Sequence, residues 1–128
     1  MLVHLDTSVL VDAFTGARRS LGRVETATRA GHVLAYCALV EYEWLRGPRT
    51  SQEAAAARRF FGSDMVVPVG EREAAGAASL YRRVKRARQR HADLVVAACA
   101  IEHRARLWTL NTGDFDDIPG LSVYPSAD

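Results

Sequence analysis

The feature that most constrains this chain is an alternation of short apolar runs with longer segments of helical spacing. LVHL (2–5), HVLAY (32–36), MVVPV (65–69), RLWTL (106–110) and LSVYP (121–125) read as five strands. Between them, SVLVDAF (8–14), ARRSLGRVETATRA (17–30), ALVEYEWLRG (38–47), SQEAAAARRFF (51–61), EREAAGAASLYRRVKRARQR (71–90) and ADLVVAACAIEHRA (92–105) read as helices. Gly16, Gly31 and the Gly47-Pro48 pair punctuate them, and NTGDFDDIPG (111–120) is turn chemistry throughout. Pro68 puts the third strand at a sheet edge or at its own end. The segment 92–105 is apolar almost all round and predicts a buried helix. Strands alternating with helices argue for an α/β layer structure around a mostly parallel sheet. Such sheets carry their sites beyond the carboxyl ends of the strands.

Length and composition set the remaining bounds. With 128 residues, no repeat and no linker, the expectation is a single domain over 1–128 with its own core. Cys37 and Cys99 both lie inside apolar runs, match no zinc spacing and read as buried thiols. There is no basic segment leading into an apolar one at the N-terminus. The longest uncharged apolar run, LVVAACAI (94–101), is far below the roughly 20 residues of a membrane span, so a cytoplasmic protein with no membrane partner is expected. The net charge is +2, yet 16 of the 17 basic residues are arginine, a bias that suits phosphate contact or an acidic partner as well as host composition.

The acids fall where the strand-exit rule is interesting. Asp6 follows the first strand, and Asp114 comes a few residues after the fourth. Glu41 and Glu43 sit on the opening turns of the helix after the second strand, and Asp93 opens the buried helix. Singly, each has a plain reading: Asp6 as a helix N-cap, Asp93 as a complement to a helix dipole, Asp114 as a turn aspartate shaped by Asn111 and Gly113. Together they suggest a shared site, because clustered buried carboxylates need a cation or take up protons. Glu41 and Glu43 differ by about 200° around a helix, so one of them faces inward. Oxygen donors with no suitably placed His or Cys favour a hard cation, Mg²⁺ or Mn²⁺.

These stretches together resemble a PIN-domain ribonuclease of the VapC toxin type. LDTSVLVDAF resembles the family's opening strand, with the acid at Asp6 and the hydroxyl at Thr7. EYEWLRG resembles the second acidic motif, and its spacing to the glycine selects Glu43. ADLVVAACA resembles the third, with Asp93, and LWTLNTGDF the last, with Thr109, Asn111 and Asp114. The resemblance covers nearly the whole chain. It implies a PIN-like three-layer sandwich with a mostly parallel central sheet of four to five strands flanked by helices. It also implies a Mg²⁺-dependent endoribonuclease, with Mn²⁺ as a substitute, that uses water to leave 5′-phosphate and 3′-hydroxyl ends. Asp6 and Asp93 would be the principal metal ligands, and Asp114 would bind metal directly or through water. Glu43 would orient or deprotonate the water, while Thr7 and Asn111 would hold the carboxylates. Implied partners are RNA, a VapB-type antitoxin and a second copy of the chain. One departure is visible: RARQRH before Asp93 is arginine-rich where the family often carries glycine.

Other features bear on the surface. YRRVKRARQR carries six positive charges between residues 82 and 90, and on one continuous helix Arg82, Arg86 and Arg90 would share a stripe, either a solvated face or an RNA phosphate contact. Tyr42, Trp44, Phe60 and Phe61 are expected in the core, with a dimer face or antitoxin groove as the other readings. Asp116 and Asp117 read as turn or surface residues, and His91 is near the site without being expected to act in it. Two other strand-aspartate chemistries fit poorly. A haloacid dehalogenase-type phosphatase needs an aspartate where Ser8 stands, and a response-regulator receiver needs a lysine after a late strand, whereas the single lysine is Lys85. The rival reading is a PIN-like module that binds RNA or protein without cutting.

Overall fold

The computed structural model describes residues 1–125. Four parallel strands form its sheet in the order β3-β2-β1-β4: β1 (Leu2–Leu5), β2 (Val33–Cys37), β3 (Val66–Val67) and β4 (Arg106–Trp108). Six helices connect them: α1 (Thr7–Phe14), α2 (Leu21–Arg29), α3 (Ala38–Arg46), α4 (Ser51–Phe61), α5 (Glu71–Tyr81) and α6 (His91–Glu102). The chain steps from β1 to β2 to β3 in one direction, then returns past β1 to lay down β4 on its other side. Right-handed crossovers therefore put the helices of the two excursions on opposite faces of the sheet. The reversal occurs between β1 and β4, and there the carboxyl ends of two neighbouring strands open a crevice.

The core follows the apolar pattern. Val3 and Leu5 of β1, Leu107 of β4 and the Leu94–Ala100 stretch of α6 are almost wholly buried, the latter interrupted only by half-buried Val95. Small side chains on α6 let it lie close to the sheet and to α5. Both thiols, Cys37 and Cys99, are free and buried. His4, in the middle of β1, is 1 % exposed with neither ring nitrogen hydrogen-bonded, and burial holds it at about 4, well below its ordinary value. It is a neutral core residue. No helix among the described residues is long and apolar enough to cross a membrane.

Several sequence expectations are corrected. The fifth strand, 121–125, is reduced to an isolated parallel bridge between Val123 and Leu107, held by Leu107 N–H to Ser122 O and Tyr124 N–H to Leu107 O. Gly120, with φ +83°, and Pro125 confine it from both sides. The helix expected over 17–30 starts only at Leu21, because Gly16 and Arg18 both take positive φ and turn the chain. The long helix expected over 71–90 stops at Tyr81. Past Arg82 the chain turns, Arg86 adopts φ +53°, and Ala87–Arg90 form one turn of 3-10 helix. Like charges at 82, 86 and 90 would stack four residues apart on a continuous helix and repel. The three arginines therefore share no helical stripe. Tyr42 and Phe60 are 56 % and 36 % exposed rather than buried, while Trp44 and Phe61 lie in the core.

Candidate active site

A cleft of about 580 Å³ opens at the carboxyl edge of the sheet, lined among others by Asp6, Thr7, Ser8, Glu43, Arg46, Asp93 and Asn111. Each acid arrives on a different element. Asp6 is the residue after β1 and the N-cap of α1, and its backbone N–H bonds Trp108 O across to β4. Glu43 projects from the second turn of α3, and Asp93 from the first turn of α6.

Asp6 is 7 % exposed and its carboxylate is well served. Oδ1 accepts the Thr7 backbone N–H at 2.8 Å, and Oδ2 accepts the hydroxyls of Ser8 at 3.1 Å and Thr109 at 2.8 Å. Asp6 is thus a helix N-cap whose carboxylate also lines the cleft. Thr7 Oγ1 donates to Glu43 Oε1 at 2.7 Å, tying α1 to α3. The two glutamates of α3 part company: Glu43 lines the cleft, whereas Glu41 reaches Arg58 of α4 at 3.7 Å.

Asp93 reports the electrostatics. Burial, followed by the negative charges of Asp6, Asp114 and Glu43, pushes its carboxyl up to about 6, with Arg90 opposing. Three other carboxylates are therefore within electrostatic reach of Asp93. Their placement is unequal, however. Asp6, Glu43 and Asp93 share the cleft, while Asp114 is exposed and lines an adjoining hollow of about 380 Å³ with Arg86, Gln89, Arg90 and Asp117.

The donor set fits a hard divalent cation. It is all oxygen, it holds mutually repelling carboxylates, and Arg46 on its rim has its guanidinium over the Tyr42 ring, 5.2 Å from the centroid. Among the described residues, no three His, Cys, Asp or Glu side chains stand close enough to hold an ion by themselves. Mg²⁺ does not require that, since it keeps several waters and takes one or two carboxylates directly.

Two hydroxyls had no assigned role in the sequence reading of the site: Thr109, matched in the last motif, and Ser8. Ser8 and Thr109 brace Asp6, and Ser8 Oγ also accepts the Leu110 N–H at 3.0 Å. Ser8 could have been found as a hydroxyl two residues after an N-cap aspartate; Thr109 is 103 residues away and only the β1–β4 pairing reveals its role. Asn111 was expected to hold a carboxylate. Its backbone N–H bonds Thr109 Oγ1 at 3.0 Å instead, and among the described hydrogen bonds its side chain reaches none of the acids. Arg90 was expected on a helical stripe that was either a solvated face or an RNA contact; its side chain instead grips Asp117 with two bonds, at 3.0 and 2.6 Å.

The fold is similar to that of known structures. No curated protein matches the chain. Among solved structures, a chain of VapBC2 from Rickettsia felis bound to a DNA fragment from their promoter superposes with a TM-score of 0.75 at 20% identity, covering 96% of this chain and 97% of that one. A toxin-antitoxin complex from Klebsiella pneumoniae gives 0.72 at 24% identity, covering 94% and 96%. DNA-bound VapBC from Salmonella typhimurium gives 0.73 at 19% identity, covering 96% and 97%. The family model for the PIN domain matches residues 3–121, nearly the whole described length. The parallel sheet, the crevice between β1 and β4 and this match agree: the chain belongs to the PIN domain family.

Proposed function

We propose that the protein, read as one PIN domain over 1–128, is a Mg²⁺-dependent endoribonuclease, with Mn²⁺ as a substitute, and the VapC-type toxin of a type II toxin–antitoxin pair. One observation carries the reading. Carboxylates from three separate elements enter one cleft, and a fourth at its rim is near enough to raise the proton affinity of Asp93. An enzyme that only needed a stable fold would have paired or dispersed them.

Asp6 and Asp93 would hold the ion, and Asp114 would complete the set from the rim, directly or through water. A bound divalent ion supplies a more acidic water and neutralises charge on the phosphoryl group. The chain's own residues do the rest. Ser8, Thr109 and the Thr7 N–H fix both oxygens of Asp6, so its geometry costs no reorganisation during reaction. Thr7 occupies Glu43 Oε1, leaving Oε2 to orient the attacking water or take its proton. Arg82 and Arg86, both exposed, would contact RNA phosphates.

The similarity to toxin–antitoxin complexes supports a VapB-type antitoxin as partner. A second copy of the chain would cover the apolar hollow formed by Leu39, Tyr42, Val69, Ala92 and Val95, which is flanked by exposed side chains of α3. The test is direct. Antitoxin-free protein is incubated with structured RNA in Mg²⁺ or in EDTA. Cleavage that needs metal and disappears in Asp6→Asn supports the nuclease; binding without cleavage under Mg²⁺ and Mn²⁺ supports the non-catalytic PIN-like module instead.

A further inference from the structure

We infer that Arg90 is a positioning residue that fastens the 111–117 segment, and with it Asp114, against the N-terminus of α6. The inference rests on the nuclease reading only for its effect on rate. The clamp itself is geometric. Arg90 Nη1 donates to Asp117 Oδ2 at 3.0 Å and to Lys85 O at 3.0 Å. Nη2 donates to Asp117 Oδ1 at 2.6 Å and to the backbone carbonyl of Asp114 at 2.9 Å. Each terminal nitrogen carries two N–H groups, so all four are spent within the protein and only Nε–H is left. The side chain is 12 % exposed. An arginine bound in this way cannot take a phosphate without releasing the segment.

Its position gives the clamp a purpose. Arg90 stands three residues before Asp93 and bonds the carbonyl of Asp114 itself. Asp93 and Asp114 carry like charges, so they do not themselves draw the segment to α6. Phe115 and Ile118 anchor the base of the segment in the core, but Asp114, Asp116 and Asp117 are exposed, and the turns around them are local: Asp114 N–H to Asn111 O and Phe115 N–H to Thr112 O. Among the described side-chain hydrogen bonds and salt bridges, those of Arg90 are the ones joining residues 112–117 to another element. A bidentate arginine–carboxylate pair has the fixed planar geometry that such a tie requires.

The experiment compares the wild type with Arg90→Gln, Asp117→Asn and the exchanged pair Arg90→Asp/Asp117→Arg. Backbone hydrogen exchange across 111–117 and single-turnover RNA cleavage are measured on each. Both single variants are expected to exchange faster across 111–117. They should also cut about 10- to 100-fold more slowly with KM for RNA little changed, because a misplaced group lowers the chemical rate. The exchanged pair should recover part of both losses. Unchanged exchange in the single variants overturns the inference, as does a raised KM with unaltered kcat, which would make Arg90 a substrate contact. Wild-type protein that never cuts RNA would defeat the nuclease reading, while hydrogen exchange would still decide the clamp.

Discussion

Replacing Asp93 by asparagine should make the protein more stable at neutral pH while removing its activity. The reasoning starts from the direction of the shift. Burial and three neighbouring acids raise the Asp93 carboxyl from its ordinary 3.8 to about 6. Between those values the folded protein holds a proton that the unfolded chain has released, so stability falls as pH climbs through that window. Each tenfold change in proton affinity is worth ~1.36 kcal/mol, so the ionised side chain destabilises the fold by roughly 3 kcal/mol above the window. Asp93 is only half-buried, and screening trims this toward ~1.5 kcal/mol. Asparagine has nearly the same shape and no charge to desolvate. Urea unfolding in EDTA should therefore show Asp93→Asn more stable than wild type by about 1.5–3 kcal/mol at pH 7.5, with the gap closing below about pH 4. Mg²⁺ at ten times its Kd should restore about 1.4 kcal/mol to the wild type and nothing comparable to the variant. An Asp93→Asn protein that is less stable at pH 7.5, or a difference independent of pH, would refute the argument.

Three further outcomes are expected. Thr109→Val removes a donor to Asp6 Oδ2 and the acceptor of the Asn111 N–H, so thermal or urea unfolding should register a loss of about 1–3 kcal/mol; no loss would mean that Asp6 does not depend on it. Arg82→Glu with Arg86→Glu should weaken RNA binding and lower the salt slope by about one to two phosphate contacts, read by fluorescence anisotropy in an uncleaving Asp6→Asn background; an unchanged slope would remove these residues from the RNA surface. Tyr42→Asp and Val69→Asp should reduce the mass seen in sedimentation equilibrium from dimer to monomer, and a mass unaffected by either would place the self-association elsewhere.

The sequence exposes the elements whose signals are local. The start of α4 is one: Thr50 and Glu53 form a reciprocal capping box, with bonds of 3.0 and 2.8 Å, because three-residue spacing alone brings them together. The buried character of α6 and the first two strands follow from apolar pattern in the same way. The end of α5 does not, because its residues have good helical spacing. What stops the helix is repulsion along the arginine run and a pair between Arg90 and Asp117 across 27 residues. Tyr42 is apolar enough for a core, but Trp44 two positions on takes the inward face, and a 200° turn leaves Tyr42 outside. In the site, Asp6 and Asp93 stood out because one follows β1 and the other opens α6, whereas Glu43, on the second turn of α3, was separated from Glu41 only by its motif resemblance. Thr109 was matched in a motif, but its bond to Asp6 was not legible, since it depends on which strand lies beside β1.

The claim beneath all of this is that Asp6, Glu43, Asp93 and Asp114 surround one divalent-ion position. Mn²⁺ titrated into isotopically labelled protein tests it without any need for substrate or activity. Paramagnetic broadening should appear first at the amides flanking these four residues, at low ion concentration, and should be abolished in Asp6→Asn and Asp93→Asn. Broadening that begins elsewhere, or that survives both substitutions, would contradict the account.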